Sequence, residues 1–223
     1  MRNEYQFLSR WRVDGTCGEV ADVLGDPLAL PEWWPSVYLD VQEVRPPDAH
    51  GHGRRVRLRT KGWLPYTIDW AFEEVESRYP YGFTLVANGD FEGSGVWTFE
   101  QDGAGVNLTY DWRLRVEKPL LRNLSFLLKP LFEANHRWAM AQGEESLKLE
   151  LLRRRASSDA ARARVPAPPG PVTYAGVALI AGAAAIGAGL AYLVIRARRK
   201  PGVCPLTRGV SGVRPLTRRV SGV

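Results

Sequence analysis

Strict alternation of apolar and polar side chains is the feature of this 223-residue chain that most restricts its fold. From Val106 to Val116, every second residue is apolar or aromatic, and the residues between them are polar or charged. The same period of two recurs in Tyr5–Val13, Arg54–Thr60 and Tyr66–Phe72. Strands with one dry and one wet face belong to antiparallel rather than parallel sheets. The pattern therefore predicts an antiparallel sheet of about seven strands.

Helical patterns interrupt and then follow these strands. Thr16 is a predicted N-cap with Glu19 completing a capping box, and Gly25-Asp26-Pro27 ends this short helix. A long helix is predicted from about Leu120 to Arg155, and only this element is long enough to cover the apolar face of the sheet. We therefore predict an α+β fold with a curved sheet around a long C-terminal helix. The residues expected on one side of that helix are Leu128, Leu131, Asn135, Trp138, Gln142, Leu149 and Leu152.

Five stretches of residues 1–152 together match a known family. They are Trp11–Asp14, Glu19–Pro27, Pro31–Val37, Asn135–Trp138 and Gln142–Glu144. The most specific part is Glu32-Trp33-Trp34-Pro35, which follows Asp26-Pro27. With these residues the chain resembles the START-like (SRPBCC, Bet v 1-like) superfamily, of the polyketide cyclase/dehydrase and lipid-transport type. The resemblance implies a helix-grip fold whose cavity takes up lipids, sterols, quinones or polyketides.

Aromatic residues dominate the predicted cavity. The chain has eight tryptophans, several of them on dry strand faces. They either form an ordinary aromatic core or line a ligand cavity, because ligand sites are mostly apolar. Trp33 and Trp34 have a further alternative, a patch at the cavity mouth that touches membrane. The predicted cavity residues are Trp33, Trp34, Trp70, Phe72, Trp97, Phe99, Tyr110, Trp112, Asn135, Trp138 and Gln142.

The sequence offers few catalytic groups. Asn135 and Gln142 either bind a ligand or satisfy a backbone or tryptophan N–H group, the commoner role of buried polar groups. His136 is expected off the face that carries Asn135, since adjacent helical residues point about 100° apart. His50 and His52 lie in a turn that reads as a surface loop. We predict no catalytic residue, no metal and no cofactor; whether the protein is an enzyme stays open, but the lack of a convincing catalytic constellation argues against it.

Residues 172–195 form an apolar segment without a charged residue. At about 1.5 Å per residue it is long enough to cross a bilayer core, so it predicts one transmembrane helix. Before it, the Pro-rich residues 165–171 predict an extended spacer. Stripes of small residues within the span favour a homodimer, although chance explains such stripes about as well in an Ala-rich helix.

Charge is unevenly distributed along the chain. Residues 1–152 carry 17 basic and 23 acidic residues, which argues against a nucleic-acid partner. The tail, residues 196–223, carries eight basic and no acidic residues, and its repeated unit is predicted to be disordered. The basic tail slightly favours a cytoplasmic C-terminus. The absence of a signal peptide favours a cytoplasmic N-terminal domain, which is our prediction.

These patterns predict a single-pass membrane protein. Its expected parts are a START-like domain (1–152), an Arg- and Pro-rich linker (153–171), a transmembrane helix (172–195) and a basic tail (196–223). The expected function is a membrane-anchored module that holds a hydrophobic small molecule, with membrane lipid as the second partner. The alternatives are a polyketide cyclase/dehydratase-like enzyme and a ligand-free interaction scaffold.

Overall fold

The computed structural model describes residues 4–48, 53–115 and 125–173. These residues belong to one compact unit, Met1–Tyr174. The expectations for His50, His52 and Val116 lie outside the described residues. The same holds for residues 174–195 of the predicted span, for its homodimer contact and for the tail.

The predicted antiparallel sheet is confirmed. Its seven strands are arranged in the order β1-β7-β6-β5-β4-β3-β2, so that β1 and β2 form the edges. Every neighbouring pair is antiparallel, and the sheet curves around a C-terminal helix in a helix-grip-like arrangement. The strands are β1 Glu4–Asp14, β2 Tyr38–Arg45, β3 Arg55–Lys61, β4 Thr67–Ser77, β5 Gly82–Gly89, β6 Glu92–Asp102 and β7 Gly105–Arg115.

The described helices lie between β1 and β2 and after the sheet. They are α1 Cys17–Leu24, a 3-10 turn Pro27–Ala29, α2 Leu30–Trp33, α3 Ser125–Arg155 and α4 Asp159–Arg162. The capping box of α1 is confirmed: the Thr16 hydroxyl accepts from the Glu19 N–H, and Glu19 Oε2 accepts from the Thr16 N–H at 2.8 Å. Gly25 is the C-cap of α1, as predicted.

The long helix α3 packs against the apolar side of the sheet with a face that coincides only in part with the predicted one: Leu131 and Asn135 line the cavity and Leu149 is buried, as expected. Leu152 was expected on the inner side, yet 52% of it is exposed, whereas Leu147 and Leu151 are 0% and 2% exposed. Met140 lies on the same buried stripe, and such i, i+4 spacing places side chains one above another. The prediction is therefore wrong for Leu152, and the buried stripe in the C-terminal half of the helix also includes residues that it did not name.

The segment after α3 has two hydrogen bonds to the domain. The helix ends at Arg155, as predicted. Arg153 donates to the Pro166 carbonyl at 2.6 Å, and Lys61 Nζ donates to the Val172 carbonyl at 3.0 Å. None of the helices within the described ranges has both the length and the apolar character needed to cross a bilayer.

Candidate ligand-binding cavity

A cavity of about 710 Å³ lies between the sheet and α3. Its closed end is lined by the buried side chains of Leu24, Leu30 and Leu85. At the other end, Pro65 and Tyr66 line the cavity and are also exposed on the surface. The cavity therefore opens at the connection between β3 and β4.

Aromatic rings of β4, β6 and β7 form one wall of the cavity. Trp97 stacks on Tyr110 with ring centroids 4.3 Å apart, and Tyr110 stacks on Trp112 at 5.5 Å. Trp70 continues the series at 5.8 Å from Trp112. Alternate residues of a strand point to the same face, and each ring buries a large apolar area. The result is a rigid apolar wall.

Two phenols supply polar groups to this apolar space. Tyr38 and Tyr110 both line the cavity, and neither hydroxyl has a hydrogen-bond partner within the described part of the chain. Burial raises the pKa of both side chains, and Tyr38 adds to the rise of the Tyr110 pKa. Both phenols are therefore neutral at physiological pH. Each can donate to a carbonyl of a bound molecule or accept from its hydroxyl.

Two other polar residues of the cavity wall serve the protein itself. Thr60 Oγ1 accepts from Trp70 Nε1 at 3.1 Å. Asn135 Oδ1 accepts from the backbone N–H groups of Trp63 at 3.0 Å and Leu64 at 3.3 Å. Of the two roles weighed for Asn135, the acceptor oxygen therefore has the structural one. It ties α3 to the connection between β3 and β4.

His136 lies inside the cavity wall, contrary to the prediction that placed it off the face of Asn135. The cavity spans a wide arc of α3, so adjacent residues both reach it. The imidazole stacks on Phe7 with centroids 4.4 Å apart, and its Nε2 is 3.2 Å from Ser9 Oγ. Burial, helped by the charge of Arg137, lowers the pKa of His136 to about 4. The ring is therefore neutral near pH 7.

The structure brings most of the predicted cavity residues together. The lining includes Trp34, Trp70, Phe72, Trp97, Tyr110, Trp112 and Asn135. Trp138 and Gln142 lie outside the lining. Phe99, which lies further along β6 than Trp97, lines a second cavity of about 320 Å³ instead. Their role in binding a ligand stays a prediction.

Trp33 and Trp34 do not form a surface patch. Their exposed fractions are 1% and 4%. Trp34 packs edge-on against Trp11 at 5.5 Å and lies so close to Gly143 that a Cβ there would be 2.2 Å from the indole. Trp33 packs in the core without reaching the cavity. The expectation of a membrane-touching patch at these residues is therefore wrong.

Sequence reasoning missed part of the cavity. Tyr38 begins an edge strand with a weak alternation pattern, so nothing marked it. Phe91 lies at the turn between β5 and β6, and Phe132 lies on a part of α3 that was not expected to face inward. The connection Gly62–Tyr66 did carry a signal, because it is rich in apolar residues where a turn is normally polar.

The sequence of residues 9–151 matches the family model described as polyketide cyclase / dehydrase and lipid transport. The chain belongs to this family. The match spans most of β1 through α3 and ends before the Pro-rich residues. Membership of the polyketide cyclase/dehydrase and lipid transport family, together with the apolar cavity, supports a ligand-binding or cyclase-like function. No match was found among curated proteins.

Solved structures with the same fold have low sequence identity to this family member. TTHA0849 from Thermus thermophilus is 18% identical with a TM-score of 0.55, over 69% of this chain and 100% of that one. The Zhui aromatase/cyclase from Streptomyces sp. R1128 is 15% identical with a TM-score of 0.56, over 70% and 98%. The di-domain ARO/CYC StfQ from the steffimycin biosynthetic pathway is 14% identical with a TM-score of 0.52, over 70% and 52%. These similarities establish the fold alone.

Proposed function

We propose that this protein is a membrane-anchored module that binds a hydrophobic small molecule in the cavity between sheet and α3. The observation that carries the proposal is the apolar cavity of about 710 Å³ with the neutral hydroxyls of Tyr38 and Tyr110 on its wall. Sites for small ligands are typically clefts of about 300–1,000 Å³ with few polar groups. The volume and the lining both fit that description.

The lining favours an uncharged ligand. The two charged side chains on it, Lys61 and Asp90, both have protein partners: Lys61 donates to the Val172 carbonyl, and Asp90 accepts from the Asp69 N–H at 3.2 Å. A charge buried against the aromatic wall would lose its hydration without compensation. A lipid, quinone or polyketide-like molecule with a carbonyl or hydroxyl for the two phenols meets these conditions.

The ligand can be identified from the protein itself. We expect apolar material in organic extracts of the purified unit 1–174, detected by mass spectrometry. Ala139→Phe fills the cavity, which Ala139 lines, and should abolish this material. Ala141→Phe is the matched control, because Ala141 is exposed on the same helix. Equal extracts from both variants, or no apolar molecule from the unmodified protein, would contradict the proposal.

The anchor is proposed from the sequence. Residues 1–152 would form the binding domain, 153–171 the linker, 172–195 the span and 196–223 the tail, with the domain in the cytoplasm. The support is the absence of any charged residue in 172–195. We expect the full chain to stay in membranes after carbonate extraction and a chain ending at residue 174 to be released. Release of both would contradict the anchor.

An exposed thiol can show on which side of the membrane the domain lies. Cys17 is buried, so it does not report on the domain's location. Ser157 is exposed, and a Ser157→Cys variant that also carries Cys204→Ser provides the reporter. We expect an impermeant maleimide to label this cysteine only after cells are opened. Labelling in intact cells would place the domain outside.

His136 favours a second candidate function, a cyclase/dehydratase-like enzyme. It is a titratable side chain on the cavity wall, beside Ser9 Oγ, with its pKa lowered to about 4. A neutral imidazole can act as a general base that takes a proton from a carbon of a bound polyketide-like chain and returns it to the departing hydroxyl, so that water leaves. We expect His136→Gln to slow conversion of a poly-β-ketone chain without weakening its binding. The ligand-free scaffold has no comparable support, because the interior is not filled.

A further inference from the structure

The cavity mouth has an apolar surface formed by the connection between β3 and β4. This connection, Gly62–Tyr66, contains Trp63, Leu64 and Pro65. Leu64 lines the cavity and is buried, Trp63 is half-buried, and Pro65 is exposed. Tyr66 lines the cavity and is 40% exposed. An apolar loop that borders an apolar cavity and also faces outward has the composition of an interfacial contact rather than of a polar turn.

The chain leaves the described domain beside the same loop. The Val172 carbonyl accepts a hydrogen bond from Lys61 Nζ at 3.0 Å, and Lys61 directly precedes Gly62. The end of α3 lies elsewhere: Arg155 donates to Glu19 of α1 and to the Asp14 carbonyl at 2.9 Å. The polypeptide therefore travels from α1 back to the mouth before it leaves the domain.

The distance that the chain covers between the end of α3 and the cavity mouth follows from the length of α3. Asn135 contacts the mouth loop, and Arg155 lies 20 residues further along the helix, about 30 Å away at about 1.5 Å per residue. Residues 156–172, here called the return segment, cover that distance in the opposite direction. The segment begins with the short helix α4, the Pro166 carbonyl accepts from Arg153 on the way, and the prolines between residues 166 and 171 keep the remaining part extended.

We propose that the Gly62–Tyr66 loop docks on a phospholipid bilayer, so that the cavity mouth faces the lipid and the return segment sets this orientation. The proposal rests on the anchor proposed for residues 172–195, which begins at the pinned Val172. Trp and Tyr rings favour the bilayer interface, and the loop presents Trp63 and Tyr66 side by side with the exposed Pro65. A hydrophobic ligand then passes between bilayer and cavity without crossing bulk water.

The test compares two tyrosines at opposite ends of β4. Tyr66 precedes the strand at the mouth, whereas Tyr81 follows it at the far end and is 61% exposed. Each is replaced by cysteine in the full chain with Cys204→Ser, carries a nitroxide label, and is reconstituted in phosphatidylcholine/phosphatidylglycerol vesicles. Power saturation then measures collisions of each label with oxygen, which concentrates in the bilayer, and with a water-soluble nickel chelate.

We expect the label at residue 66 to collide with oxygen and be protected from nickel, and the label at residue 81 to show the reverse. High nickel access at both positions overturns the docking, and so does protection of residue 66 from both reagents, which would place the label in the cavity. Carbonate extraction of the same vesicles separates the two proposals. If carbonate removes the chain from the vesicles, the anchor and the docking are both overturned. If the chain stays in the vesicles but the label at residue 66 is accessible to nickel, only the docking is overturned.

A second variant tests the role of the return segment. Gly170 lies in open space, with no atom within 4 Å of the position that a Cβ would take, so a flexible Gly-Ser insertion after it leaves the domain packing intact. We expect the insertion to raise nickel access at residue 66 severalfold while the chain stays membrane-bound. No change would show that the loop docks independently of the segment, and would overturn that part of the proposal.

Discussion

Asn135 of α3 and Gly62 at the cavity mouth fit together closely. The Asn135 side-chain oxygen accepts from two backbone N–H groups just after Gly62, those of Trp63 and Leu64. A Cβ on Gly62 would lie 2.1 Å from that oxygen. The amide thus fastens the mouth of the cavity to the helix, and the missing side chain at residue 62 makes the approach sterically feasible.

Loss of this contact should destabilise the domain. Asn135→Ala leaves two partly buried N–H groups without their acceptor, at a cost of about 1–3 kcal/mol in the free energy of unfolding. Asn135→Asp keeps an acceptor oxygen in place and should cost less. Urea denaturation of the unit 1–174 measures both. Equal losses for the two variants would show that the acceptor is not what holds the loop.

Two tryptophans distinguish packed core from cavity wall. Trp33 is 1% exposed and lies outside the cavity lining, so Trp33→Ala should cost about 3–5 kcal/mol. Trp112 is 6% exposed but borders the cavity, so fewer contacts are lost and Trp112→Ala should cost clearly less. Denaturant unfolding of both variants gives the comparison. A loss at Trp112 as large as that at Trp33 would indicate that the space beside Trp112 is closed in solution.

The fold was predictable because its determinants are local. The alternation in Gly105–Arg115 and the capping box at Thr16 each depend on neighbours in sequence, and both were confirmed. The cavity was predictable only in part, since alternation identifies the dry face of a strand but not which dry side chains touch a neighbour. Trp33 and Trp112 are both buried aromatics, but only Trp112 lines the cavity, and that depends on the assembled fold.

The side of α3 that faces the sheet was the second feature that the sequence determined only in part. The apolar residues of this helix are spread widely around it, so periodicity alone did not select one face. His136 was predicted off the cavity face because it is adjacent to Asn135, but the cavity covers a wide arc of α3, and Phe7 of β1 stacks on the imidazole. Only the pairing of β1 with β7 places Phe7 and Ser9 opposite the helix, and that pairing joins residues about a hundred positions apart.

His136 should make the stability of the domain pH-dependent. Its pKa falls from 6.5 to about 4 on folding, so between these values the unfolded chain binds a proton that the folded protein does not. Stability is therefore complete above pH 6.5 and falls as the pH drops towards 4, by about 3 kcal/mol in all. The measurement is urea denaturation at a series of pH values, for the unmodified protein and for His136→Gln. The difference between the two should shrink over this range, and a constant difference would contradict a buried neutral imidazole.

Glu19 should make the stability of the domain depend on pH in a second, more acidic range. Its carboxylate bonds to Arg155 at 2.7 Å and to the Thr16 N–H, and the Arg155 guanidinium is the main reason that its pKa falls from 4.5 to about 2. The charged form is favoured in the folded state, so this stabilisation is complete above pH 4.5 and is lost as the pH falls to 2.

The two roles of Glu19 can be separated by substitution. Because 39% of the side chain is exposed, solvent screening should limit the ion pair with Arg155 to about 1 kcal/mol. Glu19→Gln removes the charge but keeps an oxygen for the capping box, whereas Glu19→Ala removes both and should cost about 1 kcal/mol more. Thermal unfolding at pH 7 and at pH 3, in low and high salt, measures each part. If Glu19→Gln unfolds like the unmodified protein in low salt at pH 7, Arg155 does not clamp the end of α3 to α1.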